Sequence, residues 1–553
     1  MKTERFAWLL ICVFWAVLVG TGAETPDTPR LSSMTRVFVR RFQFEGNSIF
    51  SQEELSRVVA SYAGHEISNE ELETARRLLT QHYVDHGFIN SGATIPDQEV
   101  RDGTITIRIV EGQLTAIKVT GNHWLRTEYI RERLALSGGA PLNVQNLRDG
   151  LQLLRQDPNI QQVNAELQPG ALPGESELSV RVRDRQPFWL TLQVDNARPP
   201  SVGSEEIRLL AGDRNLTGHS DALELDYGIA HQSAQSVISS NRVTGLVSTN
   251  RTHGFVFNGL ANFGGAYTLP VIFHDTTLRL FGNKDDFAII EEPFDPLNIA
   301  SESERYGVSL RQPAYRTANR ELAFMLTLER RESQTFLLGR PFSLEPGAVN
   351  GEEKISAIRF AQEWTDRSQN QVLALRSTFS FGVDALGVTD DGTDRDAKFW
   401  VWQGQFQFVR RLGNTPSQLI LRTDMQWTDE PLLSLEQFTL GGAGNVRGYR
   451  ENQLVRDRGV YSGVEVRVPV LLNKSGAPML QLAPFFDFGA GWNVDSTTPP
   501  PTTISSAGIG VLFALEKHLR AQFYWGHAFR DFHSSRGNLQ DSGIHFQVSF
   551  EAF

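Results

Sequence analysis

From Phe188 to the C-terminus, apolar and polar residues alternate in short runs separated by clusters of Gly, Asn, Asp, Ser and Pro. This is the pattern of hairpin-linked strands, in which successive side chains point to opposite faces. In segment 398–412, Trp400, Trp402, Phe406 and Phe408 share one face, while Gln403, Gln405 and Gln407 share the other. In 543–550, Ile544, Phe546, Val548 and Phe550 oppose His545, Gln547 and Ser549. Similar segments occupy 188–196, 205–214, 222–230, 265–272, 277–289, 306–315, 321–331, 354–364, 371–383, 418–427, 459–471, 482–492, 504–515 and 520–529. The total is about sixteen, an even number that lets an antiparallel sheet close without a free edge.

A soluble sandwich would also alternate, burying its apolar face and wetting the polar one. The connections argue for a membrane instead. Tight turns at 317–319, 368–370 and 517–518 alternate with long links at 233–263, 291–304, 334–353, 385–397 and 530–542. That asymmetry matches the two sides of a transmembrane barrel. Residues 187–553 are therefore expected to form a 16-stranded antiparallel transmembrane β-barrel. A ring of this size encloses a wet lumen rather than a packed core. Counting strands from a periplasmic N-terminus puts the glycine-rich loop 441–458 outside, long enough to fold back into the lumen.

The front of the chain follows a different rhythm. Phe42 to Asn47 aligns with Ile117 to Asn122, and Ile67, Leu72, Leu78 and Leu79 align with Leu142, Leu147, Leu153 and Leu154. Ser51 with Glu54 and Ser68 with Glu71 have capping-box spacing. Leu72, Ala75, Leu78, Leu79 and Tyr83 then recur at helical spacing as a core-facing stripe. Two α+β modules are expected, at 36–112 and 113–186, after a short segment 24–35. A small sheet with an uncovered edge can take an extended peptide as an extra strand. The arrangement resembles POTRA domains, the periplasmic polypeptide-binding modules, as do Ser91 to Gln98 and Ile109 to Gly112.

Residues 1–23 have the basic start, apolar run and small residues before Ala23 of a secretory signal peptide. The one cysteine, Cys12, lies inside it, so disulfide and thiol chemistry are excluded from the mature chain. A net charge of −11 without a dense basic block excludes a nucleic-acid partner. There is no HExxH, GxSxG or nucleotide-binding glycine loop. The chain is not expected to be an enzyme, and no cofactor or metal is expected.

The candidate chemistry sits late in the chain. Leu440 to Tyr449 places Arg447 in a glycine-rich loop, and Pro484 to Trp492 places Asp487 in a strand. Parity puts Phe485, Asp487, Gly489 and Gly491 on one side of that strand, and Phe486, Phe488, Ala490 and Trp492 on the other. An inward aspartate beside glycines has room for a partner, and a guanidinium can engage a carboxylate with two parallel hydrogen bonds.

Val446, Arg447, Gly448 and Tyr449 resemble the VRGF/Y loop tip of two-partner secretion transporters, the TpsB class of the Omp85 superfamily. Phe485, Asp487 and Gly489 are similar to that family's inward FxDxG strand motif. The resemblance covers essentially the whole mature chain. It implies that Arg447 bonds Asp487 and holds the loop in the pore. It also implies a bacterial outer-membrane monomer, with POTRA modules in the periplasm, that translocates an unfolded exoprotein driven by folding outside. Phe550 and Phe553 are the expected signal to the barrel-assembly machinery. Phe553 is one residue out of phase with Phe546, Val548 and Phe550, so a bulge near Glu551 is expected to reconcile them. The N-terminal plug helix of some relatives is expected to be absent. Alternatives are an outer-membrane assembly factor of the same superfamily, or a passive porin or outer-membrane enzyme.

Overall fold

The computed structural model describes residues 30–553 except 236–238, 241–246, 249–250, 256–261, 272–274, 292–293, 295–296, 298, 345–346, 391, 393–394, 495–496 and 533–536. The signal segment 1–23 and the question of a plug helix before Arg30 fall outside the described residues. The chain packs into two compact units. One holds the described residues through Ala116 with Gly138–Leu147 and Leu167–Leu178. The other holds Ile117–Ser137, Arg148–Glu166 and Ser179–Phe553.

In the first module, Arg41–Glu45 runs parallel to Thr104–Val110, which also pairs with Gly92–Thr94. Helix Asn69–Asp85 buries Leu72, Ala75, Leu79 and Tyr83 in the core. Leu78 is exposed, against expectation, because 100° per residue places it roughly 120° around the helix from Leu72. Ser68 and Glu71 form the full capping box. Ser51 accepts only the Glu54 amide, at 3.2 Å. The Glu54 carboxylate is instead 3.5 Å from the His82 ring nitrogen Nε2.

The internal repeat is visible at the level of single bonds. Gly46 and Gly121 follow the equivalent strands Arg41–Glu45 and Gln113–Thr120 at φ 83° and 85°. A Cβ there would come within 2.5 and 2.6 Å of the Ile109 and Val182 carbonyl oxygens. In both modules a carboxylate at the end of the last strand gathers the amides of the turn that follows Gly46 or Gly121. Glu111 accepts from the Ser48 and Ile49 amides at 2.8 and 3.0 Å and from the Tyr83 hydroxyl at 3.0 Å. Asp184 accepts from the amides of His123, Trp124 and Leu125 at 2.8, 2.6 and 3.0 Å. Burial alone would push the Glu111 carboxyl up, but these donated bonds outweigh it and hold its pKa below the usual 4.5. Burial and the adjacent Glu111 carboxylate push the Tyr83 phenol up.

From Phe188 the chain forms a closed antiparallel barrel of sixteen strands. Its first strand, Phe188–Asp195, pairs with its last, Ile544–Glu551. Leu280, Leu328, Phe360, Phe486, Phe523, Trp525 and Phe550 stand exposed on the outer face, forming the apolar belt that lipid requires. Of the second module, Ile117–Ser137, Arg148–Glu166 and the chain from Ser179 belong to the same compact unit as the barrel. Asp275, on a turn between strands, takes an ion pair from Arg133 of that module and another from Arg316 at 2.9 Å.

Three expectations are corrected. Strands Ile299–Arg316 and Arg320–Leu337 run well past the expected 306–315 and 321–331. Their outer ends carry Glu302, Glu304, Arg330 and Glu332 on the outward face, so alternation is lost where the strands rise above the apolar belt. In the expected 233–263 loop, the strand Ala222–Gln235 continues and pairs with Arg251–Phe255 as a ribbon. There is no bulge near Glu551, because pairing is regular up to that residue. Phe553 lies beyond the last paired position and meets Phe188 edge-on, ring centroids 5.6 Å apart. Its phase is set by the chain leaving the strand rather than by the pleat.

Candidate functional site: the loop inside the barrel

Strands Gln418–Trp427 and Arg458–Leu472 pair directly in the barrel wall, and the connection 428–457 between them turns inward. Within it, Phe438–Leu440 pairs with Leu454–Arg456 as a two-stranded stem. The inserted region therefore starts before 441, and Arg458 already belongs to the wall. Leu440, Val446, Tyr449 and Leu454 pack against Tyr461 and Ile504 in a small buried apolar cluster. Removing these side chains from water favours the inward position of the tip.

Arg447 and Asp487 meet as the parity of their segments requires. Arg447 Nε and Nη2 donate to the two oxygens of Asp487 at 2.8 and 3.0 Å, a fork on a carboxylate. The Arg447 backbone amide adds a third bond at 3.1 Å, and the Tyr461 hydroxyl a fourth at 3.3 Å. Across the sheet Asp487 faces Gly463 on one side and Ser506 on the other, small residues that leave room for the guanidinium. The guanidinium lies 3.7 Å from the Phe485 ring centroid and 4.8 Å from that of Tyr524. Such stacking suits a planar cation and not an ammonium.

The remaining motif residues each have a defined place. A Cβ on Gly489 would come 2.8 Å from Leu440 and 2.9 Å from Val446, so glycine lets the loop lie against the wall. Gly448, at φ 93°, passes so close to Gly526 that a Cβ would be 2.8 Å from its carbonyl oxygen. The Tyr449 hydroxyl donates to the Ser505 carbonyl at 2.9 Å and accepts the Arg530 amide at 3.2 Å. Phe550 faces outward on the last strand.

The family model for haemolysin secretion/activation proteins (ShlB/FhaC/HecB) matches residues 174–513, and the ShlB-type POTRA model matches 37–112. The chain belongs to this haemolysin secretion/activation family. It is 24% identical over 445 residues to the outer membrane transporter CdiB of Dickeya dadantii, covering 79% of this chain and 74% of that one. It is 23% identical over 494 residues to the heme/hemopexin transporter HuxB of Haemophilus influenzae, covering 86% and 79%. The solved CdiB of Escherichia coli superposes with a TM-score of 0.66 at 19% identity, over 96% of this chain and 93% of that one. Members of this family are outer-membrane transporters of two-partner secretion, with periplasmic POTRA domains and a secreted exoprotein as partner.

Sequence reading paired Arg447 with one carboxylate, but the barrel supplies two. Glu465 lies opposite Phe485, takes an ion pair from Arg447 Nη1, and is held by Arg467 Nε at 2.6 Å. Its signal was available, since Tyr461, Gly463, Glu465 and Arg467 share the inward parity of segment 459–471. The loop stem has further anchors that no motif marks. Glu436 engages Arg359 at 2.6 and 3.0 Å. Asp457 accepts the Val494 amide at 2.9 Å and the Gln437 side chain at 2.8 Å. Only closure of the ring brings these residues together.

Proposed function

We propose that the 428–457 loop is a latch within the translocation pore, closed by Arg447 on Asp487 and Glu465. The exoprotein arrives unfolded and adds as a strand to a sheet edge of the periplasmic modules; Arg41–Glu45 is such an edge strand, and an incoming strand there displaces the Gln52 side chain from the Phe44 amide and carbonyl. It crosses as the loop leaves its seat, and folding outside makes passage directional. The protein performs no covalent chemistry, and it acts as a monomer seated in outer-membrane lipid. The barrel-assembly machinery reads its C-terminal end at Phe550 and Phe553. The observation that carries this reading is a buried arginine, at the tip of the lumen loop, shared by two wall carboxylates. Arg447→Ala is expected to leave a heat-modifiable barrel in the outer membrane while export of the cognate exoprotein falls at least tenfold. Undiminished export by that variant would overturn the assignment.

A further inference from the structure

The barrel seam is the shortest of the ladders between full-length strands. Regular pairing of the first and last strands covers only Thr191 to Asp195 against Gln547 to Glu551. Above Asp195 one long backbone bond remains, from the Asn196 backbone amide to the Phe546 carbonyl at 3.4 Å, and a side chain supplements it. The Asn196 amide group donates to the Ile544 carbonyl at 2.9 Å and accepts the Phe546 amide at 2.8 Å. Gln540 then bridges from the last connection, donating to the Asn196 and Arg198 carbonyls at 2.5 and 2.8 Å. Both side chains are fully buried. The free oxygen of Gln540 accepts the backbone amide of Glu451 at 2.9 Å, and Glu451 lies on the inserted loop.

The neighbouring loop residues point to the same place. The Gly448 amide donates to His545 Nε2 at 3.3 Å, and Arg450 pairs with Asp541 at 2.5 Å. Gly448, Arg450 and Glu451 are therefore all bonded to the segment 540–545 that closes the seam. Each bond to a buried partner is costly to leave unmade, so the tip cannot withdraw and leave Gln540 as it was.

We infer that Gln540 and Asn196 form a clasp that couples the Arg447 latch to the first–last strand seam. Withdrawal of the tip removes one of the contacts that orient Gln540, so the upper seam loosens in the same transition. Linkage makes the effect reciprocal: loosening the seam weakens the latch. Gln540 and Asn196 are positioning residues that act through the loop. The inference rests on the latch reading, and two separate readouts keep the failures distinguishable.

The test uses the full chain in lipid bilayers, with single-channel recording for the latch and hydrogen exchange of the Phe546 amide for the seam. Gln540→Met, a neutral side chain of similar length, is expected to raise channel opening about tenfold and to speed Phe546 exchange. Arg447→Ala, whose side-chain bonds go to Asp487 and Glu465 and not to segment 540–545, is expected to speed Phe546 exchange as well. The double variant is expected to open no more often than the stronger single one, because both release one device. Asn196→Ser touches only the seam and is expected to raise opening too, which covers the case in which Gln540→Met assembles poorly. Unchanged Phe546 exchange in Arg447→Ala, or multiplied effects in the double variant, would overturn the coupling. Unchanged opening in Arg447→Ala would sink the latch reading itself.

Discussion

Asp487→Asn is the most discriminating change to the latch, because it keeps the shape of the side chain and removes its charge. Asp487 is fully buried and accepts Arg447 at 2.8, 3.0 and 3.1 Å, with Tyr461 at 3.3 Å. A hydrogen bond to a charged group contributes about 1.5–3 kcal/mol, and breaking a buried pair from one side costs about 3–5 kcal/mol. Glu465 and the Phe485 ring remain to hold the guanidinium, so its charge is not stranded. The loss therefore belongs near the lower end, at about 2–3 kcal/mol. At 1.4 kcal/mol per factor of ten, the ratio of closed to open pores falls roughly 30- to 150-fold. The assay is single-channel open probability in planar bilayers, with gel heat-modifiability to confirm an intact barrel. Arg447→Lys is expected to behave similarly, since an ammonium cannot make the fork. An intact Asp487→Asn barrel whose open probability stays within twofold of the parent would refute the argument.

Two further outcomes follow from packing and titration. Gly489→Val places a side chain where a Cβ already comes 2.8 Å from Leu440, and it is expected to displace the loop at a cost of about 1–3 kcal/mol. Protease cleavage within the loop should then become measurable, and full resistance would contradict the packing. Glu111 has its pKa lowered on folding, so its stabilising effect is present above the ordinary carboxyl value of 4.5 and is lost as pH falls through the folded value. Glu111→Gln is expected to cost the first module about 1–3 kcal/mol at neutral pH and to flatten its acid transition. A melt of the full chain, followed by exchange in peptides of residues 41–110, checks this. An unchanged acid slope in the variant would refute it.

Much of this molecule follows from local pattern. Period-two alternation placed the strands of the wall and their inward faces, because lipid outside and water inside act on every spanning residue separately. The same parity turned Asp487 toward Arg447, while the module signals came from spacing and capping. Where alternation stopped, so did legibility: strands Ile299–Arg316 and Arg320–Leu337 continue above the belt with polar residues on both faces. Leu78 looked like core because apolar character does not reveal which side of a helix is covered.

The sequence by itself thus determined the strand order, the apolar belt and the inward face of Asp487, each set by residues within one element. Only the tertiary structure decided that Arg447 is shared with Glu465 and that Glu436 meets Arg359. It also decided that Gln540 clasps the seam to the loop. Those contacts join residues from 18 to 344 positions apart, across a ring whose radius and stagger no local pattern encodes. A buried polar group finds its partner when the barrel closes, and which group comes within reach is a property of the closed ring.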